Sequence, residues 1–262
     1  MQPLKKETKR MPALFIGHGN PMNAIEKNEF TDSLKRVGKM LEKPKAILFI
    51  SAHWTTSYSA AALHSDENVM YDMYGFPDAL YNVKYKAKNA EFLIPKLQKL
   101  IPSLKVENRD LDHGVWSVLV HLFPKMDTPV IQLSINSTLS LQEHFETGKT
   151  LGILREEEVI IIASGNVTHN LREAVLFDKN APIDSWAKEF DGFVKDSILR
   201  GDFDALLDIE NRQRYAHLAH PSTEHYIPLL YIAGAMQKGD KSSFLYEGIE
   251  HGNLSMRSWM IQ

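Results

Sequence analysis

The chain of 262 residues contains no cysteine, and this excludes several classes of site. Disulfides, thiolate nucleophiles and zinc or iron–sulfur centres held by cysteine cannot form without it. Metal binding is left to the carboxylates and to the 11 histidines. Any metal chemistry in this protein therefore has to use histidine or acidic side chains.

The sequence also lacks a long apolar run and a strong net charge. No stretch approaches the roughly 18 apolar residues that a membrane-spanning helix needs, and the first ten residues lack the apolar segment of a secretory signal. The net charge of −3 gives no indication of nucleic-acid binding. We therefore expect a cytoplasmic protein with no nucleic-acid or membrane partner, and a homo-oligomer is compatible with the sequence.

Length and composition are those of an ordinary globular domain. With 262 residues, of which 44% are hydrophobic and 24% charged, the chain fits one catalytic domain over residues 1–262 better than two small ones. The basic residues Lys5, Lys6, Lys9 and Arg10 lie near the amino terminus. We interpret residues 1–10 as a flexible tail.

Three short apolar runs, at 13–16, 46–50 and 159–164, each lead to a histidine, namely His18, His53 and His169. Runs this short and this rich in β-branched residues are typical of strands that are buried on both faces. Strands alternate with amphipathic helices from 13 to 164, which predicts an α/β fold with a mostly parallel central sheet and helices on both faces. Ligands bind at the carboxyl ends of such strands. If the three strands are neighbours, the three histidines converge at that edge.

The remaining pattern predicts further elements, with helices over 28–43, 89–101, 141–154 and 184–200 and strands over 81–86, 104–107 and 129–135. After 184 the chain is mostly helical, and Ser222 or Thr223 is expected to cap a helix that runs to about 236. Residues 244–255 indicate an edge strand and a polar turn. The aromatic loop over 66–77 has two interpretations: it packs on its own side chains, or it forms one wall of a pocket for a flat apolar ligand.

The sequence context separates candidate site histidines from ordinary ones. His18 lies between two glycines, His53 follows a buried strand, His169 lies in a turn, and His225 opens a helix beside Glu224. His64, His144, His217 and His251 lack such a context, and His121 lies in an apolar run that indicates a core histidine. Neutral imidazoles bind Fe(II), Zn(II), copper or nickel, so ligand type alone does not select the metal. The sequence has no HExxH motif and no GxSxG motif, which disfavours those metalloprotease and serine hydrolase classes.

Five motifs together resemble a known family. They are GHGNPM at 17–22, SAHW at 51–54, DHGVW at 112–116, GNVTHNL at 165–171 and HPSTEHYIPLL at 220–230. In this order they are similar to the LigB-like class III extradiol ring-cleavage dioxygenases, and to the 4,5-DOPA dioxygenase branch in particular. The resemblance spans nearly the whole chain. It implies a non-haem Fe(II) enzyme, often isolated with zinc, that uses O₂ to open a catechol ring beside its two hydroxyls.

The resemblance also implies roles for individual residues. His18, His53 and His225 would be ligands of one Fe(II) or Zn(II) ion per chain. His169 would be the acid/base next to the metal and would contact the metal as well, and His113 would line the substrate pocket. Related dioxygenases often use two histidines and one carboxylate. Glu224 is therefore the alternative to His225 as the third ligand.

Two other functions remain open. The same histidines could activate water at zinc in a hydrolase, or the chain could be a non-enzymatic binding protein of the same fold. A hydrolase predicts a polar pocket, whereas the sequence indicates an aromatic one, lined by Trp54, Tyr71, Tyr74, Phe76 and Trp116. The presence of all four histidines, 18, 53, 169 and 225, argues against a non-enzymatic relative.

Overall fold

The protein is built on a central eight-stranded sheet, seen here in a computed structural model that describes residues 10–262. Residues 1–9 of the predicted tail lie outside the described residues. The strands of the described chain are β1 Ala13–Gly17, β2 Ala46–Thr56, β3 Ala60–Leu63, β4 Lys105–Asn108, β5 Val130–Asn136, β6 Val159–Gly165, β7 Ser242–Tyr246, β8 Ile249–Glu250, β9 Leu254–Ser255 and β10 Ser258–Ile261. The order in the sheet is β4-β3-β5-β2-β6-β1-β10-β7, and β8 and β9 pair separately.

The centre of the sheet is parallel, as the sequence predicts. Strands β5, β2, β6 and β1 pair side by side in parallel, whereas β3 runs antiparallel to β5 and β10 runs antiparallel to both β1 and β7. Every residue of β1, β5 and β6 is buried. The register aligns Gly17 with Gly165, and Ser51 with Ser164. The strands that carry the first three candidate histidines are therefore neighbours, and their carboxyl ends meet at one edge.

Helices cover both faces of the sheet. The helices of the described chain are α1 Glu29–Met40, α2 Ile94–Leu100, α3 His113–Leu122, α4 Leu141–Leu151, α5 Ser185–Arg200, α6 Phe203–Leu207, α7 Ile209–Arg212, α8 Ala216–Ala219 and α9 Ile227–Gly234. One buried cluster joins the sheet to α1 and α3, and another joins it to α4, α5 and α9. These two layers confirm the predicted α/β architecture. Among the described residues, no helix is long and apolar enough to cross a membrane.

Two local predictions are wrong for identifiable reasons, and one strand was not predicted. Residues 81–86 do not form a strand; instead Tyr85 is buried and donates a hydrogen bond to the carbonyl of Phe123 at 3.2 Å. The alternation there reflects packing against α3. Helix α9 begins at Ile227 rather than near Ser222, because Pro228 fits only in the first turn of a helix. Strand β10, which the sequence pattern did not reveal, lies between β1 and β7.

Candidate active site

His18 directly follows β1 and is held by the neighbouring strand. Its backbone N–H donates a hydrogen bond to the carbonyl oxygen of Gly165, at the end of β6, over 3.1 Å. The side chain is buried, with the residue only 2% exposed. The end of β1 therefore delivers the imidazole to the carboxyl edge of the sheet, where the sequence predicts it.

His53 lies within β2, at a point where the strand departs from regular pairing. The register between β2 and β5 shifts between Ile50 and Thr55, and such irregularities re-aim side chains. The backbone of His53 is fixed on both sides. Its N–H donates to Ser51 Oγ at 3.2 Å, and its carbonyl accepts from Arg109 Nη2 at 3.0 Å. A strand that extends to Thr56, rather than ending at His53, thus presents the ring through a bulge.

Helix α3 packs tightly against this bulge. A Cβ at Gly114 would lie 2.5 Å from Ser51 Oγ and 2.9 Å from His53 Cδ2. Only glycine permits this close approach. The glycine of the DHGVW motif thus allows the first turn of α3 to lie beside His53.

His225 comes from the loop before α9 and is anchored to the turn after β6. Its carbonyl accepts a hydrogen bond from the backbone N–H of Asn166 at 3.0 Å. A Cβ at Gly165 would lie 2.2 Å from the same carbonyl oxygen. Because Gly165 has no side chain, the turn at Gly165 and Asn166 leaves room for the backbone of His225. This contact joins the end of β6 to the loop before α9.

One ring nitrogen from each of His18, His53 and His225 lies within 4.8 Å of the other two. His18 Nε2 and His53 Nε2 are 2.9 Å apart, and two nitrogens that bind the same cation at about 2.1 Å lie roughly 3 Å from each other. His225 Nε2 is buried without a hydrogen-bond partner among the described residues. Buried polar atoms are rarely left unpaired. The cluster therefore has the spacing that a single cation requires, and in His225 Nε2 it has an unpaired nitrogen that could bind one.

The electrostatics of the cluster favour neutral rings. Burial lowers the pKa of His18, His53 and His225 well below the ordinary histidine value, and repulsion between the charged forms of neighbouring histidines lowers it further. A neutral imidazole has a free lone pair and can bind a metal ion, whereas the protonated form cannot. The residues present could thus hold a metal ion.

Glu224 supports His225 and does not belong to the cluster. Its Oε1 lies 3.4 Å from His225 Nδ1 and accepts a hydrogen bond from Ser222 Oγ at 2.9 Å. The Glu224 side chain is 32% exposed, whereas that of His225 is 5% exposed. A carboxylate on the outer nitrogen of a metal-binding histidine typically orients the ring. The geometry favours His225 over Glu224 as the third member.

His169 lies against this cluster without entering it. Its ring stacks on that of His225, and its backbone N–H donates to the carbonyl of Ala219 at 2.9 Å. Burial, together with the nearby His113, lowers the pKa of His169 to about 4. The group of nitrogens within 4.8 Å does not include His169. Its place fits that of a neutral base beside the cluster.

His113 completes the arrangement from the first turn of α3. Its ring centroid is 3.8 Å from that of His53 and 5.8 Å from that of His18. Its Nδ1 and its backbone N–H both contact Asp72 Oδ1, at 3.0 Å and 2.9 Å. Sequence reasoning missed Asp72, because its loop gave no motif that linked it to a distant histidine.

A buried carboxylate, also missed, supports the His53 bulge. Asp112 is fully buried and accepts hydrogen bonds from Ser51 Oγ at 2.7 Å and Gln132 Nε2 at 2.5 Å. Burial raises the pKa of this carboxyl, while both hydrogen bonds oppose that rise. Ser51 in turn holds the backbone of His53. Its place next to His113 in the DHGVW motif was the signal that could have identified it.

The predicted aromatic wall is only partly present. Trp116 is fully buried and donates from Nε1 to the carbonyl of Met70 at 2.9 Å, and Trp54 is 5% exposed. Both belong to the core, so the expectation that they line an open pocket is wrong. Tyr71 packs on Trp116 and donates to the carbonyl of Val83, whereas Tyr74 is 92% exposed. Only part of the loop is therefore packed, since Tyr71, Met73 and Phe76 lie partly buried against the core.

Comparison with known proteins matches residues 12–256 to a family described as the catalytic LigB subunit of aromatic ring-opening dioxygenase. The chain belongs to the LigB family. It is 38% identical to 4,5-DOPA dioxygenase extradiol of Escherichia coli strain K12 over 100% of both chains, and 35% identical to the Beta vulgaris protein of the same name over 94% of both. A crystal structure of an uncharacterised Escherichia coli K12 protein superposes with a TM-score of 0.83 at 35% identity, covering 97% of this chain and 100% of the other.

These matches confirm the family resemblance read from the five motifs. This LigB family member is an enzyme of the extradiol ring-opening type. Its fold brings all five predicted site histidines into ring contact with at least one other of the five.

Proposed function

We propose that this protein is a non-haem Fe(II) extradiol dioxygenase that opens the ring of DOPA or a closely similar catechol with O₂. The observation that carries the proposal is the buried cluster of His18, His53 and His225, bordered by His169 and His113. The names of the full-length relatives, 4,5-DOPA dioxygenase extradiol, support the choice of substrate.

In this proposal His18, His53 and His225 hold one metal ion per chain. The ion, when bound, would supply Lewis-acid chemistry that lowers the pKa of catechol hydroxyls, and redox chemistry toward O₂. The three-imidazole donor set accepts Fe(II) and Zn(II) alike. We favour Fe(II) for activity because zinc has no redox chemistry.

His169 supplies the base. With a pKa of about 4, it is neutral near pH 7 and has a lone pair ready for a substrate hydroxyl proton. It can return the proton to the opened product later in the cycle. Since His169 stacks on His225 and lies outside the nitrogen cluster, we propose the acid/base role for it; its direct contact with the metal stays a prediction.

His113 holds the substrate. Its Nδ1 is occupied by Asp72, so the opposite nitrogen, Nε2, is the one available to a catechol oxygen. A ring that lies 3.8 Å from His53 is close enough to the cluster to contact a catechol that is bound there. In the net reaction both atoms of O₂ enter the product, a muconic semialdehyde, and no external reductant is needed.

The test is turnover by the iron-loaded protein. Apoprotein is loaded with Fe(II) without air, mixed with DOPA and then given O₂, while oxygen uptake and absorbance are recorded. We expect a yellow product and one O₂ consumed per ring opened, and no turnover by the Zn(II)-loaded protein. Absence of oxygen uptake and of product absorbance with every catechol of a panel would contradict the proposal. Ester or amide hydrolysis by the zinc form would then favour the hydrolase alternative.

Two expectations from the sequence, a cytoplasmic location and a homo-oligomer, stay predictions. Sedimentation of the purified protein and fractionation of the source cells test them directly. Neither bears on the chemistry proposed for the site.

A further inference from the structure

We propose that Asp72 is a positioning residue that fixes the imidazole of His113 with the proton on Nδ1, so that Nε2 faces the substrate as an acceptor. The expected effect of Asp72 on turnover rests on the proposed function. The orientation of the His113 ring and the position of its proton are independent of that function and can be measured separately.

Asp72 contacts His113 through a single oxygen atom. Asp72 Oδ1 lies 2.9 Å from the backbone nitrogen of His113 and 3.0 Å from its Nδ1. A backbone N–H can only donate, so Oδ1 acts as an acceptor there. An ionised carboxylate has acceptor sites only, and Nδ1 must therefore carry a proton to bond with the same atom. Two bonds from one residue fix both the backbone and the ring of His113.

The carboxylate is suited to remain ionised in this place. Burial alone would raise the pKa of Asp72, but the hydrogen bonds from the ring and the backbone of His113 help to lower it below the ordinary aspartate value. Oδ1 also lies at the first residue of α3, where the helix dipole favours a negative charge. The ionised, acceptor-only form is thus the one that both interactions stabilise.

Two hydrogen bonds at Met70 hold the loop that carries Asp72 against Leu111 and helix α3. The backbone N–H of Met70 donates to the carbonyl of Leu111 at 2.8 Å, and Trp116 Nε1 donates to the carbonyl of Met70 at 2.9 Å. The Asp72 side chain is 18% exposed. The carboxylate is therefore held against His113 by the packing of the loop.

The ring that Asp72 fixes borders the cluster of His18, His53 and His225. His113 contacts the rings of both His53 and His18, and among the described residues none is seen to hydrogen-bond to its Nε2. With the proton held on Nδ1, a neutral ring presents a lone pair on Nε2 to a substrate hydroxyl. In the other tautomer Nε2 would carry the proton and would donate a hydrogen bond to the substrate oxygen instead of accepting one.

A second role for Asp72 is the alternative outcome of the test. One ligand atom each from His53, Asp72 and His113 also lie within 4.8 Å of one another. Asp72 could then be a metal ligand itself. The two hydrogen bonds that Oδ1 already accepts favour positioning, and metal analysis of an Asp72 variant separates the two roles.

The first experiment determines which ring nitrogen of His113 carries the proton. ¹⁵N NMR of the zinc-loaded protein, above the pH range in which ordinary histidines titrate, distinguishes protonated from bare ring nitrogens. We expect His113 in the unmodified protein and in Asp72→Asn to carry the proton on Nδ1, because an amide oxygen still accepts it. In Asp72→Ala we expect the Nε2-protonated form to gain population. An unchanged tautomer in Asp72→Ala would overturn the proposal.

The second experiment measures how the effect reaches turnover. We expect Asp72→Ala to keep its metal and lose about 10- to 100-fold in kcat/KM, as supporting residues around metal sites do, and Asp72→Asn to remain within a few-fold. In a His113→Ala background, Asp72→Ala should cost almost nothing more, since the two residues act as one unit. Asp78→Ala, at an exposed position in the same segment, is the matched control.

Three results would contradict the positioning role: loss of metal in Asp72→Ala, a full additional loss in the double variant, or an equal loss in Asp78→Ala. If instead no form of the protein opens a catechol, the proposed function fails. The NMR comparison still decides whether Asp72 sets the tautomer of His113.

Discussion

The imidazole rings of His169 and His225 stack face to face, with centroids 3.5 Å apart and an interplanar angle of 4°. The nitrogens of a ring lie in its own plane. Those of His225 can therefore point toward His18 and His53, while those of His169 lie in a parallel plane beside them. Burial lowers the pKa of both rings; His113 lowers that of His169 further, and His169 lowers that of His225 further. This stack sets His225, a member of the cluster, apart from His169, the proposed base.

Replacement of His169 by alanine should remove turnover and leave the metal. A positioned acid/base contributes about 10²- to 10⁴-fold, and we expect a loss of that size in kcat/KM for His169→Ala with unchanged metal content. Steady-state kinetics and elemental analysis of the same preparation check this. His217→Ala, at an exposed position, serves as the control. Metal loss in His169→Ala would make this residue a ligand.

Glu224 and His225 should respond differently to substitution. His225→Ala removes a nitrogen of the cluster and should abolish tight metal binding. Glu224→Gln keeps a polar group near His225 Nδ1, which now lies 3.4 Å from Oε1, and should weaken metal binding by at most about 10-fold. Anaerobic Fe(II) titration of both variants tests the ranking. The reverse order would assign the third ligand to Glu224.

A methyl group at Gly165 should disturb the site without touching any histidine side chain. Its Cβ would lie 2.2 Å from the carbonyl oxygen of His225, so Gly165→Ala must displace that backbone and weaken metal binding. Gly192→Ala is the matched control: a Cβ there meets no atom within 4 Å. Within helix α5 that change should stabilise the protein by about 1 kcal/mol. Equal metal affinity in the two variants would contradict the close packing described here.

The metal-free protein should lose stability as the pH falls. His169 and His220 have pKa values lowered mainly by burial, to about 4 and about 3, from an ordinary value of 6.5. Above that value both residues are neutral in the folded and the unfolded chain. Below it the unfolded chain binds protons that the folded chain does not, so the free energy of unfolding decreases until the folded pKa values are reached.

Urea unfolding of the apoprotein from about pH 7.5 to about pH 5 measures this slope, which lies in the window between the unfolded and folded pKa values. His220→Gln should make the slope shallower, because it removes one of the buried titrating groups. A stability that is independent of pH over this range would contradict the assignment of buried, neutral histidines.

The sequence predicts the centre of the fold well because the signal there is local. Strands β1, β2 and β6 are continuous apolar runs, and each leads to a histidine of the site. The sequence left open whether these strands are neighbours, and the structure shows that they lie side by side in the order β2-β6-β1. His121 is confirmed as a core residue, since its Nε2 contacts the carbonyl of Asn23 at 2.7 Å.

The missed features depend on contacts between distant segments. Strand β10 is short and pairs with β1 across nearly the whole length of the chain, so no local pattern identifies it. Asp72 contacts His113 from a loop 41 residues earlier in the chain. Asp112 accepts hydrogen bonds from Ser51 and Gln132, which are also distant from it in the sequence. Such networks depend on tertiary packing and produce no periodic pattern of residues in the sequence.

The central claim is that His18, His53 and His225 form one metal site on which ring opening depends. Anaerobic titration of the apoprotein with Fe(II), followed by DOPA turnover at each occupancy, tests it most directly. We predict one Fe(II) per chain, turnover proportional to occupancy, and no tight binding in His18→Ala, His53→Ala or His225→Ala. Unchanged Fe(II) binding in these three variants, or turnover that does not follow occupancy, would contradict it.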